Sequence, residues 1–408
     1  MGKITKCRMC KSSNMEMFLD LGTAPPPHSF LTKKQLKEGK EELFPIRVLM
    51  CYNCGLAQLG YVVPPEKMYT NYPYETSMTK TGIEHFHGMA KSICEKFSIA
   101  KNSLAVDIGS NVGVLLQGFK NMGMNVMGIE PSNVAQKAIA NGIPTIQDFF
   151  GKKAVNQIAS KQKAKIITGT NVFAHIDNLH DFMKNLDILL EENGIFVFEV
   201  PYFIHLLDNL EYDTIYHEHL SYISVKPLVN FFKIFGYELF DVEETKIHGG
   251  SIRCFVARKG KQKVSSTTKH YLNLEEKKKI YSKETLQKFA KMVDEHKKKL
   301  KSLLLELKKK GKRVVAISAP AKGVSLLNYA KIDNTILEYV TEKYMPKVGL
   351  YTPGTHILVK NDEYLREDKP DYGLLLAWNF AEEIMKNLDY FKKNGGKFII
   401  PIPEPHIV

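Results

Sequence analysis

Tyr216-His217-Glu218-His219 is the densest run of titratable side chains in the 408 residues. Histidine titrates near neutrality, so an imidazole here could take a proton from carbon. Tyr216 could polarise a carbonyl or hold an enolate oxygen, and Glu218 could orient a ring. The chemistry that suits such a set is removal of the proton beside a ketone, which turns an inert C–H into a nucleophilic enolate. The order differs from the zincin H-E-x-x-H, because His217 and His219 lie only two residues apart. In an extended segment those two share one face and Tyr216 and Glu218 the other. A loop whose four side chains satisfy one another is the competing reading. His175 and His248 fall on other loops and could join the set.

A second constellation lies near the start. Cys7-Arg8-Met9-Cys10 and Cys51-Tyr52-Asn53-Cys54 are two C-x-x-C knuckles, and two turns that each present two thiolates suit one tetrahedral zinc. Four protein ligands close the site, so the metal is structural. The intervening forty residues exceed a compact zinc ribbon and must hold an insertion, to which the Pro-rich Ala24–Phe30 belongs. Cys94 and Cys254 read as ordinary core cysteines.

A third lies between residues 104 and 130. Leu104–Ile108 is a short apolar strand carrying Asp107, followed by Gly109-Ser110-Asn111-Val112-Gly113, a helix from Val114 to Gly123, and a strand Asn125–Ile129 that ends in Glu130. This is a βαβ start with a tight glycine turn, and an acid after the second strand can accept hydrogen bonds from two ribose hydroxyls. A three-glycine G-x-G-x-x-G would seat a pyrophosphate; its absence favours adenosylmethionine over nicotinamide cofactors, although a dehydrogenase stays open on these residues alone.

The elements that must position these groups continue the α/β alternation. Strands are expected at 165–169 and 194–200, a helix at 229–235, and a late strand pair at 237–242 and 251–258. That pattern suits a mostly parallel sheet with one antiparallel edge strand. Further on, 313–318 reads as a strand, 319–323 as a turn and 324–330 as a helix. Lys322 ahead of that helix is either a phosphate seat or part of a plain connection.

The net charge is +13, but +9 of it lies between Leu274 and Arg313, where fifteen basic residues face six acidic ones. Apolar residues there, from Leu286 to Leu307, fall at a helical period, so the segment reads as an amphipathic helix with a solvated lysine face rather than a nucleic-acid surface. No apolar run of membrane-spanning length occurs, and the first residues lack a secretory h-region. The expectation is a cytoplasmic enzyme without membrane or nucleic-acid partners, a monomer or weak homo-oligomer.

Taken together, these motifs resemble the sugar C-methyltransferases of deoxysugar pathways, the mycarose and tetronitrose type. The two cysteine pairs, GSNVG with GIEP, NVFAHI, FEVPY, YDTIYHEHLSY, HGGSIR, SAPAKG and TPGTHI carry the likeness along nearly the whole chain. The resemblance implies an α/β protein with a zinc-binding domain (1–72), a class I S-adenosylmethionine-binding domain (73–262), and a long helix with a smaller Rossmann-like domain (263–408) that helps hold a nucleotide-linked keto-sugar. It implies His219 as base, with Tyr216, Glu218 and His175 beside it. Asp107, Gly109, Ser110, Asn111, Gly113, Glu130, Pro131, Asp148 and Asn171 would serve the cofactor. Tyr74, Tyr202, His217, His248, Gly249, Ser251, Arg253, Lys322 and His356 would serve the sugar nucleotide. Three places depart from the family pattern: Val112 replaces the usual acid of the loop, Glu342 stands where an Asp is usual, and the stretch after Tyr74 is altered. Methylation at oxygen or nitrogen of a related sugar, or of nucleic acid, is the alternative activity.

Overall fold

The computed structural model describes residues 2–69, 75–77, 80–245 and 249–408. The first three strands, β1 (Met15–Ala24), β2 (Phe44–Cys51) and β3 (Ala57–Leu59), form an antiparallel meander. The second cysteine knuckle sits in the β2–β3 turn, and the first in a turn ahead of β1.

The central sheet begins with β4 (Leu104–Ile108), β5 (Asn125–Ile129), β6 (Thr145–Ile146), β7 (Ala164–Thr170) and β8 (Leu190–Pro201). β4 is buried at all five positions, as expected of a parallel strand covered on both faces by helices. After β9 (Ser221–Tyr222) come β10 (Tyr237–Thr245) and β11 (Ser251–Arg258), giving the order β10-β11-β8-β7-β4-β5-β6. β4 to β8 pair in parallel, while β11 is antiparallel to both β8 and β10. The reversed strand is therefore one place in from the edge, not at the edge as the sequence pattern suggested. β11 forms a hairpin with β10 and inserts between it and β8.

Strand β9 leaves this sheet. It pairs with β3 through Ala57–Tyr222 and Gln58–Ser221, so the segment just after His219 is the fourth strand of the N-terminal sheet. That pairing fixes the acid–base segment against the cysteine-bearing region.

The basic segment forms two helices, Ser266–Lys277 and Lys283–Lys309, with Ser282 capping the second through the Thr285 amide. Leu286, Phe289, Val293, Leu300, Leu304 and Leu307 are buried as the period predicts. So is His296, whose Nδ1 meets the Tyr212 hydroxyl at 2.9 Å and whose Nε2 reaches the Pro401 carbonyl at 2.6 Å. The last sheet holds β12 (Val314–Ile317), β13 (Val340–Glu342), β14 (Val359–Asn361), β15 (Tyr372–Leu375), β16 (Lys397–Ile400) and β17 (His406–Ile407), ordered β14-β13-β12-β15-β16-β17. Its first five are parallel, a second doubly wound layer.

Candidate functional site

A cavity of about 850 Å³ opens at the carboxyl ends of β4, β5 and β7, where doubly wound sheets bind their ligands. Gly109, Asn111, Glu130, Pro131 and Asn171 line it, with Phe86, Phe149 and Phe150 as apolar walls and His175 at one end. Gly109 has φ +66°, and a Cβ there would lie 2.5 Å from Val172 Cγ2, so the turn tolerates no side chain. The buried Glu130 carboxylate accepts the amides of Asn111 and Ser132, each at 2.9 Å, which ties β5 to the glycine loop and aims the acid.

Four other expected cofactor residues are not among those that line the cavity. Asp107 accepts the Thr168 hydroxyl at 2.6 Å, and burial pushes its carboxyl up to about 7. Ser110 is buried, Gly113 starts the helix Val114–Asn121, and Asp148 turns back to the Phe149 amide at 2.8 Å. Val112 is buried too, its amide held by Asn111 Oδ1 at 2.9 Å. It stands outside the cavity wall, so the loop keeps its shape without the usual acid.

The acid–base segment is a turn, not the extended stretch that would have split the four residues between two faces. The His219 amide donates to the Tyr216 carbonyl at 3.0 Å, which brings positions i and i+3 together. The Tyr216 and His219 ring centroids lie 4.1 Å apart, and the His175 ring stacks on His219 at 5.0 Å. His219 Nδ1 is 2.7 Å from the Thr214 carbonyl. A carbonyl only accepts, so the proton is on Nδ1 and the neutral ring carries its lone pair on Nε2, the form a general base needs. Burial holds His175 well below the usual imidazole range. His217 points away, to the Phe44 carbonyl at 3.2 Å, and burial brings it down to about 4.

In the N-terminal region the sulfurs of Cys7, Cys10, Cys51 and Cys54 lie within 4.8 Å of one another. The Cys7–Cys54 and Cys10–Cys51 separations are 3.6 Å. A zinc–sulfur bond of about 2.3 Å gives a tetrahedron with an edge of about 3.8 Å, so the four thiols fit that ion. Cys94 and Cys254 are buried elsewhere.

Comparison with known proteins agrees with this geometry. Family models match in three consecutive blocks: a zinc binding domain at residues 7–69, a methyltransferase domain at 85–242 and a C-methyltransferase C-terminal domain at 246–403. The C-methyltransferase NovU of Streptomyces niveus is 32% identical over 99% of this chain and 97% of its own length. The chain belongs to the C-methyltransferase family. An uncharacterized methyltransferase of Alkaliphilus oremlandii is 25% identical, over 41% of this chain and 84% of its own. Among solved structures, an S-adenosylmethionine-dependent methyltransferase from Clostridium acetobutylicum aligns with 44% of this chain and 92% of its own at 13% identity, TM-score 0.35. Among the described residues no helix is long and apolar enough to cross a membrane.

This C-methyltransferase uses S-adenosylmethionine and carries a zinc-binding domain. Gly109, Asn111, Glu130, Pro131 and Asn171 are the expected cofactor residues that face the cavity.

The residues expected at the sugar nucleotide come from several elements. Tyr74 and His248 lie outside the described residues. Tyr202 is in the core, its hydroxyl bonded to Glu275 at 3.0 Å. Arg253 holds Glu199 at 2.7 Å, with His85 on the other carboxylate oxygen at 2.7 Å. Ser251 is buried where β11 meets Pro201 of β8. Gly249 has φ +91° and backs directly onto the Glu211 carboxylate. His356 pairs with Glu41 across the N- and C-terminal regions.

Lys322 is in the first turn of a helix, Ala321–Ala330, that starts three residues earlier than the sequence suggested, because Pro320 pre-sets the N-cap. Its ammonium lies 4.1 Å over the Trp378 ring, contacts Asn379, and faces Asp213 and Glu211; burial lowers it to about 8. Two carboxylates already occupy the field expected to seat a phosphate.

Two residues at the site had no motif to announce them. His28, from the proline run, has Nε2 3.5 Å from Glu218 Oε1. Lys347 approaches from the C-terminal sheet, bonded to the Ala319 carbonyl at 2.9 Å and 3.7 Å from Glu342. Burial pushes Glu218 up to about 8 against the opposing Lys347 charge. The longer Glu342 still serves its sheet, accepting the amides of Ala319, Lys343 and Tyr344.

Proposed function

We propose that this enzyme methylates a carbon beside the ketone of a nucleotide-linked keto-deoxysugar, by way of an enolate formed by His219. The observation that carries this reading is the tautomer of His219. Its Nδ1 proton is committed to the Thr214 carbonyl, and its ring packs against those of Tyr216 and His175, the latter lining the cofactor cavity.

Carbon must become nucleophilic before it can accept a methyl group, and an imidazole that is neutral at Nε2 is the group to take its proton. The cofactor supplies an electrophilic methyl group on a sulfonium. Tyr216, whose ring packs on His219, would hold the enolate oxygen, and the apolar walls Phe86, Phe149 and Phe150 would exclude water that reprotonates the carbanion. The C-terminal doubly wound sheet is the natural holder of the nucleotide part.

The test incubates the enzyme with S-adenosylmethionine and a panel of deoxythymidine- and uridine-diphosphate-linked 4-keto-6-deoxyhexoses, with mass-spectrometric detection. A product heavier by one methylene, with the new methyl group on carbon by NMR, is expected. A methyl ether, or transfer to sugars without a ketone, would overturn the reading.

A further inference from the structure

His28 belongs to the zinc-bearing region, yet its imidazole ends among the acid–base residues of the central domain. Proline at 25, 26 and 27 restricts the approach, and a turn closes over it, with the Ser29 amide 3.1 Å from the Pro26 carbonyl. Immediately beyond, Leu31 and Tyr351 exchange both backbone hydrogen bonds, at 2.9 and 2.8 Å, which docks the loop on the C-terminal region. The loop thus presents His28 to Glu218 from a rigid frame. The His28 side chain is 12% exposed and that of Glu218 2%.

Building on the keto-sugar reading above, we propose that His28 is a positioning residue: it holds the Glu218 carboxyl in place beside His219, so that the zinc-bearing domain completes the acid–base site. The charged and titratable groups around this contact are Glu218, His175, His219 and Lys347. Burial brings His28 down to about 3 and Glu218 up to about 8, so around neutrality the contact joins a neutral imidazole to a carboxylic acid. Such a pair adds no fixed charge next to His219, and a neutral His219 is the basic form. Loss of His28 opens space beside Glu218, admits water and lets the carboxyl ionise at lower pH.

The experiment compares wild type, His28→Ala and His28→Gln, with exchange of the substrate's α-proton in deuterated water and methyl transfer as readouts across pH 6–9. Zinc content and the thermal shift with S-adenosylmethionine verify the fold. The Ala variant should lose about tenfold in kcat with KM within about threefold, and its alkaline limb should move to lower pH. The Gln variant, whose amide can reach the same oxygen, should recover part of the rate. Wild-type kcat and pH profile in the Ala variant would overturn the assignment while leaving the keto-sugar reading intact. A rise in KM alone, or joint loss of zinc and cofactor binding, would overturn it too. Absence of exchange and transfer in wild type with every sugar of the panel would sink both.

Discussion

The Arg8 guanidinium and the Asp177 carboxylate meet at 3.1 Å, with Arg8 buried and Asp177 opening to the cavity. Arg8 lies inside the first cysteine knuckle, and its Nη1 reaches both the Leu59 carbonyl at 2.8 Å and the Leu220 carbonyl at 3.2 Å. One side chain thus joins the zinc knuckle to the residue after His219 and to the loop that follows His175. Arg8→Ala deletes the guanidinium's hydrogen bonds to Asp177, Gln58, Leu59 and Leu220, and hydrogen bonds to a charged group contribute roughly 1.5–3 kcal/mol each. A loss of about 3 kcal/mol or more is expected in denaturant melts, with weaker methyl transfer even when zinc is saturating.

Glu130 and Asp107, both expected at the cofactor, are placed differently. Glu130 faces the cavity and Asp107 does not. Glu130→Ala should weaken S-adenosylmethionine binding about ten- to hundredfold, the range for hydrogen bonds to a charged group. Asp107→Asn should keep affinity within about threefold of wild type. Titration calorimetry of both variants checks this; equal losses would refute the distinction.

Much of this was legible in the sequence where local spacing dictates geometry. The C-x-x-C pairs bring their own turns, and the 104–130 unit folds as it reads because strand, glycine turn and acid are contiguous. The legible part ends where tertiary packing decides. His28 was one residue in an insertion until the Leu31–Tyr351 pairing carried it to Glu218. Lys347 lies 129 residues beyond Glu218 and meets it only because the C-terminal sheet docks there. Tyr202 reads as a site residue from its motif, yet Glu275 draws its hydroxyl into the core. The 216–219 turn also defeats a period-two reading, since its closing hydrogen bond makes neighbours of residues three apart.

Zinc content gives a direct count. Purified protein should hold one zinc per chain, and Cys51→Ser should bind less than half of it and melt earlier, since a structural zinc contributes folding energy. Cys94→Ser should match wild type in zinc content. Loss of zinc in the latter alone would refute the four-cysteine assignment.

Two sets of buried groups pull the pH dependence of stability in opposite directions. Burial raises Asp107 and Glu211 to about 7 and Glu218 to about 8. A raised carboxyl stabilises the fold fully below its ordinary value near 4, and that contribution is lost as pH climbs through 7 to 8. Buried His217 and His28, lowered to about 4 and about 3, act the other way: their contribution is present above 6.5 and lost as pH falls through those values. Above about 6.5 the imidazole contribution is complete and only the carboxyl loss remains, so melting temperature should fall from there through pH 8. Glu218→Gln, a permanent mimic of the neutral acid, should flatten the alkaline fall; an unchanged slope would contradict the assignment.

The Thr214–His219 hydrogen bond leads to the sharpest chemical expectation. With its proton fixed on Nδ1, His219 presents Nε2 as the base, so His219→Ala should abolish exchange of the substrate's α-proton in deuterated water while cofactor affinity stays within about threefold. His219→Asn is the finer probe. Its amide can still donate toward the Thr214 carbonyl and so preserve the turn, but it has no imidazole lone pair to take a proton. Exchange and methyl transfer should therefore fail together in both variants, by about two to four orders of magnitude. Were His175 the base instead, His175→Asn would show that loss and His219→Asn would keep most of the exchange, because its turn would be intact. Running the two asparagine variants side by side tells which of the two stacked rings removes the proton.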